Sequence, residues 1–309
     1  MRLLIDCDPG IDDALALYAL LGRPVVAIQG ITTVFGNVTV GQATRNVARL
    51  WQLAGARPLP RVGEGAEQPL AGSRLPRRAI HGRDGLGDLE IPLAPLPQPL
   101  FESTALITEC LRTHALDGIV ALGPLTNVAH AFASAPRLLS RVSSIVVMGG
   151  VVAENKQPAA TEFNLASDPA AARCLLGSKA VLRWVPLHSA ASVVFQEEAI
   201  EGFRAAHKTN RLAVTMAKFL SYSAHARPGA GGAVLPDTVA IALALEPSLG
   251  EWRQRRLVLE DRTRSGRLRI EAGVPNAQVC ERVDAQGVMK LLWELWTRCV
   301  EQAPGSRAG

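Results

Sequence analysis

Short apolar segments rich in β-branched residues alternate with helical patterns along much of the chain. This alternation restricts the fold most, because strands that are separated by helices pair in parallel and need helices on their faces. Three strand–helix pairs stand out, at residues 3–7 and 12–21, 25–33 and 38–54, and 118–122 and 126–133. The sequence therefore predicts an α/β fold with a mainly parallel, open sheet flanked by helices.

The rest of the chain extends this pattern. Continuous apolar runs at residues 143–148 and 180–185 are typical of buried parallel strands. Residues 58–99 are rich in Pro, Gly and Arg, which predicts long surface loops that serve a site. We expect further helices at residues 168–176, 203–224, 237–245 and 284–299, and late strands at residues 256–259, 267–271 and 277–283. A single domain over residues 1–309 is expected.

Composition and charge exclude several classes of partner. The net charge of +5 is spread along the sequence without a block of like charges, so no nucleic-acid partner is expected. The first apolar run ends at Asp6, too early for a signal peptide, and no apolar stretch reaches membrane-spanning length. We therefore expect a cytoplasmic protein without a membrane partner. The five cysteines are widely spaced and odd in number, which predicts reduced core residues.

An aspartate cluster occupies the first predicted strand–helix turn. Residues 6–13 read Asp-Cys-Asp-Pro-Gly-Ile-Asp-Asp, and such turns lie where ligands bind in open α/β sheets. Single members of the set suit a helix cap or the first helical turn. Four carboxylates within eight residues nevertheless repel one another strongly, so capping explains the whole set poorly. The cluster predicts a bound cation.

The chemistry of these donors indicates a hard cation. Oxygen ligands without a neighbouring Cys or His favour calcium or magnesium over zinc. The spacing is not that of an EF-hand, so other ligands must come from distant positions. Candidates are a backbone carbonyl in the strand-end turn at residues 123–127 and the carboxylate of Asp237 at a helix start.

Six sequence blocks together resemble the inosine-uridine-type nucleoside hydrolase family, over nearly the whole chain. The aspartate cluster carries the signature of that family. The other blocks are TVFGN at 33–37, IHGRDGLG at 80–87, GPLTN at 123–127, VMGG at 147–150 and TEFNL at 161–165, the last followed by Asp168 and Pro169. The resemblance implies a Rossmann-like nucleoside hydrolase fold, a small-molecule ribonucleoside as substrate, Ca²⁺ as cofactor and a homo-oligomer, dimeric or tetrameric.

Matching positions imply roles for individual residues. The resemblance assigns calcium binding to Asp8, Asp13, Asp237 and the carbonyl of Thr126. It also implies a set of substrate-binding residues, in which Met148 packs against the sugar and the others are polar: Asp12, Asn37, His81, Asn155, Glu162 and Asn164. Because calcium is a weak Lewis acid, Asp8 beside it is the natural general base for the attacking water. The predicted reaction releases ribose and a free nucleobase.

Pro236 departs from the family pattern. Many relatives carry a histidine immediately before the last aspartate ligand, where it can protonate the departing base, and proline has no proton to give. Base preference and leaving-group activation are therefore open. Candidate replacement acids are His81, His188, Tyr222 and His225, and Arg227 with the glycine-rich residues 228–233 is a candidate cover for the base.

Two other functions fit parts of the sequence. Pro236 would suit a catalytically weakened protein that binds ribose or nucleosides, although the retention of Asp8 argues against it. Alternatively, Asp6 and Asp8 resemble the nucleophile and acid of a haloacid-dehalogenase-type phosphatase. Pro9, Gly10 and the Asp12–Asp13 pair fit that alternative poorly.

Overall fold

The helices and strands follow the predicted alternation. The computed structural model describes residues 1–55, 58–76, 79–96, 99–113, 116–152, 161–260 and 265–303. The strands are β1 (Arg2–Cys7), β2 (Ala27–Thr33), β3 (Val62–Glu64), β4 (Leu100–Glu102), β5 (Gly118–Ala121), β6 (Ile145–Met148), β7 (Val151–Val152), β8 (Leu182–Val185), β9 (Val194–Phe195), β10 (Ala233–Val234), β11 (Gly250–Leu259), β12 (Arg267–Glu271) and β13 (Ala277–Val283). The α-helices are α1 (Ile11–Leu21), α2 (Val40–Leu53), α3 (Ser103–Thr113), α4 (Thr126–Ser134), α5 (Phe163–Ser167), α6 (Pro169–Leu176), α7 (Leu187–Ala190), α8 (Glu197–Ala206), α9 (Arg211–Ala226), α10 (Pro236–Leu245) and α11 (Ala285–Gln302).

The main sheet confirms the predicted fold class. Its strand order is β4-β3-β2-β1-β5-β6-β8-β13-β11-β12-β7. The strands from β4 to β13 pair in parallel, whereas β11 is antiparallel to both β13 and β12. The chain moves from β1 to β2 on one side and later returns to β5 on the other side of β1. A crevice for ligands is expected outside the carboxyl end of β1, because the winding direction of the sheet changes there.

Apolar cores cover both faces of the sheet. Helices α1, α2, α9, α10 and α11 contribute to one core, and α3, α4 and α6 to the other. Every residue of α1 and of α10 is buried, as expected of helices that are apolar on all sides. These two helices bring residue 12 and residue 237 together, although 225 positions separate them in the sequence. The described helices include none that is both long and apolar enough to cross a membrane.

Three details of the sequence-based prediction are wrong. Residues 62–64, which fall in the predicted surface loops, form the strand β3 between β2 and β4 of the main sheet. The helix predicted over residues 203–224 is two helices, α8 and α9, and the break precedes Asn210, whose side chain accepts a hydrogen bond from Ala213 N at 3.1 Å and so caps α9. Cys174 is exposed, while the four other free cysteines are buried as predicted: Cys7, Cys110, Cys280 and Cys299.

Candidate active site

The aspartate cluster lies at the carboxyl end of β1 and is buried. Asp8 is 1% exposed and Asp13 is fully buried. Oδ2 of Asp8 accepts a hydrogen bond from Asn37 N at 2.6 Å, and Oδ2 of Asp13 accepts one from Gly10 N at 2.9 Å. In the part of the chain that is described, Oδ1 of each carboxylate is buried without a hydrogen-bond partner. Two such oxygens on neighbouring side chains fit the donor set of a hard cation.

The pKa values of both carboxylates are raised. Burial, with repulsion from Asp13, raises the pKa of Asp8 well above its usual range, and burial raises the pKa of Asp13 to about 6. A cation bound to both side chains would offset these shifts, because opposite charge favours the ionised form. The electrostatics therefore fit a hard cation at this position.

Asp237 joins the cluster from the first turn of α10. Its backbone N–H donates to Oδ2 of Asp12 at 3.2 Å. Burial and the repulsion from Asp12 raise the pKa of Asp237 well above its usual range. As the side chains are arranged, no three His, Cys, Asp or Glu residues of the described segments form a ready-made metal site.

Thr126 begins α4, and its hydroxyl is already engaged. Its Oγ1 donates to Oδ2 of Asp168 at 2.7 Å, and the same carboxylate accepts from Leu70 N at 2.8 Å and from Ala171 N at 3.0 Å. The turn before Thr126 approaches the cluster, because a Cβ placed on Gly123 would lie 2.7 Å from Oδ1 of Asp8. These hydrogen bonds fix Thr126 in place. The role of its carbonyl as a cation ligand stays a prediction.

Asp6 belongs to a separate network that sequence reasoning missed. Its Oδ1 accepts from Thr32 Oγ1 at 2.6 Å and from Asn127 Nδ2 at 2.8 Å. Asn127 Nδ2 also donates to Thr33 O at 2.9 Å, and its Oδ1 accepts from Ala66 N at 2.9 Å. Burial raises the pKa of Asp6 to about 7. One side-chain amide thus ties together the ends of β1 and β2 and the segment after β3.

A cavity of about 60 Å³ opens beside the aspartates. It brings together residues that are far apart in the sequence. Seven of the predicted site residues line it: Asp12, Asn37, His81, Met148, Glu162, Asn164 and Asp237. Its other lining residues are Ile80, Leu122, Phe163, Leu187, Arg227 and Pro236. Asn155 lies outside the described residues. The roles of the lining residues stay predictions.

Backbone donors already occupy the predicted sugar-binding carboxylate. Glu162 caps α5, and its two carboxylate oxygens accept from Gly150 N, Asn164 N and Leu165 N at 2.8–2.9 Å. Asn164 Nδ2 donates to Leu122 O at 2.6 Å and to Met148 O at 3.3 Å. These bonds orient both side chains before any ligand binds.

His81 is fixed as a neutral imidazole. It ends the 3₁₀-helix Ala79–His81, and its Nδ1 accepts from Ile11 N at 3.3 Å. The proton of the neutral ring therefore lies on Nε2. Burial, helped by the nearby charge of Arg227, lowers the pKa of His81 to about 4. At neutral pH the ring can donate a hydrogen bond but holds no imidazolium proton to transfer.

The other candidate acids do not line this cavity. The ring of Tyr222 packs against Gly87, 3.2 Å from the position that a Cβ would take there. His225 Nδ1 is hydrogen-bonded to Ser221 O at 2.6 Å on an exposed face, and His188 is exposed on α7. Of the four candidate acids, only His81 is among the described lining residues, and at neutral pH its pKa of about 4 leaves it without an imidazolium proton.

Two buried polar residues of α2 attach the loop that carries His81 to the aspartate turn. Asn46 Nδ2 donates to Pro9 O at 3.0 Å and to Asp84 O at 2.8 Å. Arg49 pairs with Asp84 at 3.1 Å and donates to Ile91 O at 3.0 Å. Sequence reasoning missed both residues. Their spacing of three on the buried face of an amphipathic helix is the signal that indicates a buried polar network.

Comparisons with known proteins agree on one family. The model of the inosine-uridine preferring nucleoside hydrolase family matches residues 3–290. A probable uridine nucleosidase 1 of Oryza sativa subsp. japonica is 41% identical over 203 residues, which cover 64% of this chain and 61% of that protein. The pyrimidine-specific ribonucleoside hydrolase RihA of Salmonella gallinarum is 32% identical over 95% of this chain and 97% of its own. The solved structure of a purine-preferring ribonucleoside hydrolase from Gardnerella vaginalis superimposes with a TM-score of 0.86 at 28% identity, covering 98% of this chain and 99% of that one.

Proposed function

Because this chain belongs to the inosine-uridine preferring nucleoside hydrolase family, and is therefore an enzyme that hydrolyses the N-glycosidic bond of ribonucleosides, we propose that a calcium ion at the aspartate cluster activates the water. Members of the family are generally metal-dependent. The two unpartnered buried oxygens of Asp8 and Asp13 carry this proposal. Calcium suits this site because it is a hard cation and the proposed donors are all oxygen, which disfavours zinc.

The ion would be held by Asp8, Asp13, Asp237 and the carbonyl of Thr126. When bound there, it would supply positive charge that lowers the pKa of the attacking water. Asp8 would accept the proton of this water as general base. The backbone N–H of Asn37 donates to Oδ2 and orients the Asp8 carboxylate for this role.

The polar side of the cavity would bind ribose. Asp12, Asn37, Glu162 and Asn164 offer carboxylate and amide groups at hydroxyl-binding positions, and Met148 supplies an apolar contact. Negative charge from Asp12 and Glu162 also favours the positive charge that develops on the sugar as the glycosidic bond breaks. The same lining suits a binder that does not turn over, so release of ribose is the decisive measurement.

The test is a nucleoside panel assayed for free ribose. The protein is treated with chelator, and calcium, magnesium or no metal is then added back. We expect calcium to restore ribose release and Asp8→Asn to abolish it. The control Glu198→Gln removes an exposed carboxylate in the first turn of α8 and should leave the rate unchanged. Binding without release of ribose by the parent protein would support the weakened binder. Full activity after chelation would overturn the metal proposal.

A further inference from the structure

Breaking the glycosidic bond leaves negative charge on the base, and the described lining residues include no imidazolium to neutralise it. Pro236 lines the cavity where a histidine would supply a proton, and a proline side chain has neither a proton nor a hydrogen-bond donor. His81 is neutral, with Nδ1 occupied by Ile11 N. Positive charge beside the departing base is the alternative to a histidine acid.

Arg227 supplies the positive charge on that side of the cavity. It lies at the end of α9, where the chain turns towards α10, and it lines both the main cavity and an adjoining pocket of about 10 Å³. No other Lys or Arg among the described residues lines either one. Asp12 and His81 line the same two spaces as Arg227, so the guanidinium shares the cavity with a predicted sugar-binding carboxylate and with the neutral imidazole.

Most of the Arg227 donors remain available. A guanidinium has five N–H donors. Within the described structure, one of these donates to Val234 O at a long 3.4 Å, and no ion pair forms at a salt-bridge distance. The remaining donors are free to bind a ligand in the cavity, in the planar arrangement that suits carbonyl oxygens.

We propose that Arg227 is a catalytic residue that stabilises the departing nucleobase as an anion, and that the enzyme consequently favours ribonucleosides of oxo-bases, such as uridine, over those of amino-bases, such as cytidine. The inference rests on the proposed nucleoside hydrolysis and adds its leaving-group chemistry. The electron pair of the C1′–N bond moves onto the base nitrogen and spreads to the ring carbonyl oxygens, where the guanidinium donates hydrogen bonds. Water adds to C1′, its proton passes to Asp8, and the base anion takes a proton from solvent after departure.

The preference follows from what a guanidinium can and cannot do. It keeps its proton throughout the pH range of folded proteins, so it stabilises an anion but does not act as a general acid. The uracil anion places charge on two carbonyl oxygens, which accept hydrogen bonds. Cytosine carries an amino group in place of one of them, and as a poorer anion it departs readily only after protonation.

The experiment compares leaving groups across variants. The parent, Arg227→Ala, Arg227→Lys and Arg211→Ala are assayed on uridine, cytidine and p-nitrophenyl riboside. Arg211 is an exposed cation at the opposite end of α9 and serves as the matched control. We expect Arg227→Ala to lower kcat on uridine about 10²–10³-fold, as for the loss of one hydrogen-bond donor to the transition state. On the nitrophenyl riboside kcat should fall less than about 10-fold, because the nitrophenolate anion needs little stabilisation. Arg227→Lys should recover part of the loss, and added guanidinium ion should raise the rate of Arg227→Ala but not that of Arg211→Ala.

The outcomes separate this inference from the proposed function. Retained turnover of the nitrophenyl riboside shows that Arg227→Ala is folded. Equal loss on both substrates, or no loss on either, overturns the role of Arg227 while hydrolysis stands. A parent enzyme that cleaves cytidine as fast as uridine also overturns it. A parent protein that releases ribose from no nucleoside overturns the proposed function itself, and the inference with it.

Discussion

In chelated protein, the stability of the fold should decrease as the pH rises. Burial raises the pKa of Asp6 and of Asp12 from 3.8 to about 7. Between these values the folded protein holds protons that the unfolded chain has lost, so the free energy of unfolding decreases with increasing pH. The stabilising difference is complete below about pH 4 and is lost as the pH passes 7. His81 acts in the opposite direction, because its pKa falls from 6.5 to about 4.

These three groups set a lower bound on the magnitude, because the raised pKa values of Asp8, Asp13 and Asp237 act in the same direction as those of Asp6 and Asp12. Each contributes about 1.4 kcal/mol per pH unit in the range where its two states differ in protonation. From pH 5 to 6.5 the two aspartates lower the free energy of unfolding and His81 raises it, so the net slope is that of one group. Above pH 6.5 only the two aspartates contribute. The free energy of unfolding at pH 7 is therefore about 3 kcal/mol lower than at pH 5. With an unfolding entropy of about 2.1 cal/mol/K per residue, the chain of 309 residues loses about 5 °C in Tm.

Thermal unfolding of chelated protein between pH 5 and 8 measures this slope. Calcium-loaded protein should show the reverse slope, because protons compete with the ion for the same carboxylates. Asp12→Asn removes one contribution and should reduce the slope of the chelated protein, while Glu198→Gln should leave it unchanged. A Tm of the chelated protein that stays constant or rises over this range would refute the electrostatic reasoning.

Three further predictions follow from the site. Asp8→Asn should lower kcat about 10²–10⁴-fold at saturating calcium, measured as ribose release, because it removes the general base; a rate near that of the parent would assign the base elsewhere. Replacing inosine by 2′-deoxyinosine should lower kcat/KM about 10–10³-fold, since sugar-facing polar groups lose their partners, and equal values would contradict the assignment of the ribose side. Asp168→Ala should lower the free energy of unfolding by about 3 kcal/mol or more in urea titrations, because it leaves the Thr126 hydroxyl and two backbone N–H groups without acceptors. A change within about 0.5 kcal/mol would argue against a stabilising role of these hydrogen bonds.

The sequence predicted the fold well where local periodicity carries the information. The central strands and helices lie within a few residues of the predicted positions, and the aspartate turn falls at the carboxyl end of β1 as expected. The division between α8 and α9 was missed because apolar residues continue across it, and the capping residue Asn210 was the available signal. Helix boundaries depend on such capping contacts more than on periodicity.

The site was predictable as a set of residues but not as a set of bonds. Motif positions named seven residues that line one cavity. Their partners come from distant segments, as when Asn46 joins Pro9 to Asp84, and a single sequence carries no record of such pairs. Glu162 illustrates the limit, because a carboxylate that suits a ribose hydroxyl equally suits the backbone N–H groups that it in fact accepts from.

The different origins of the two sides of the cavity have an evolutionary consequence. The proposed sugar side is anchored near strand ends by short bonds, such as that from Asn164 Nδ2 in α5 to Leu122 O, directly after β5. Arg227 and Pro236, on the base side, flank the connection between α9 and α10, a stretch outside the main sheet. Substitutions in that connection can therefore change which base departs without disturbing how the sugar is held. This separation allows one scaffold to diversify in base preference, and grafting residues 226–236 from a purine-preferring relative is a direct route to redesigning it.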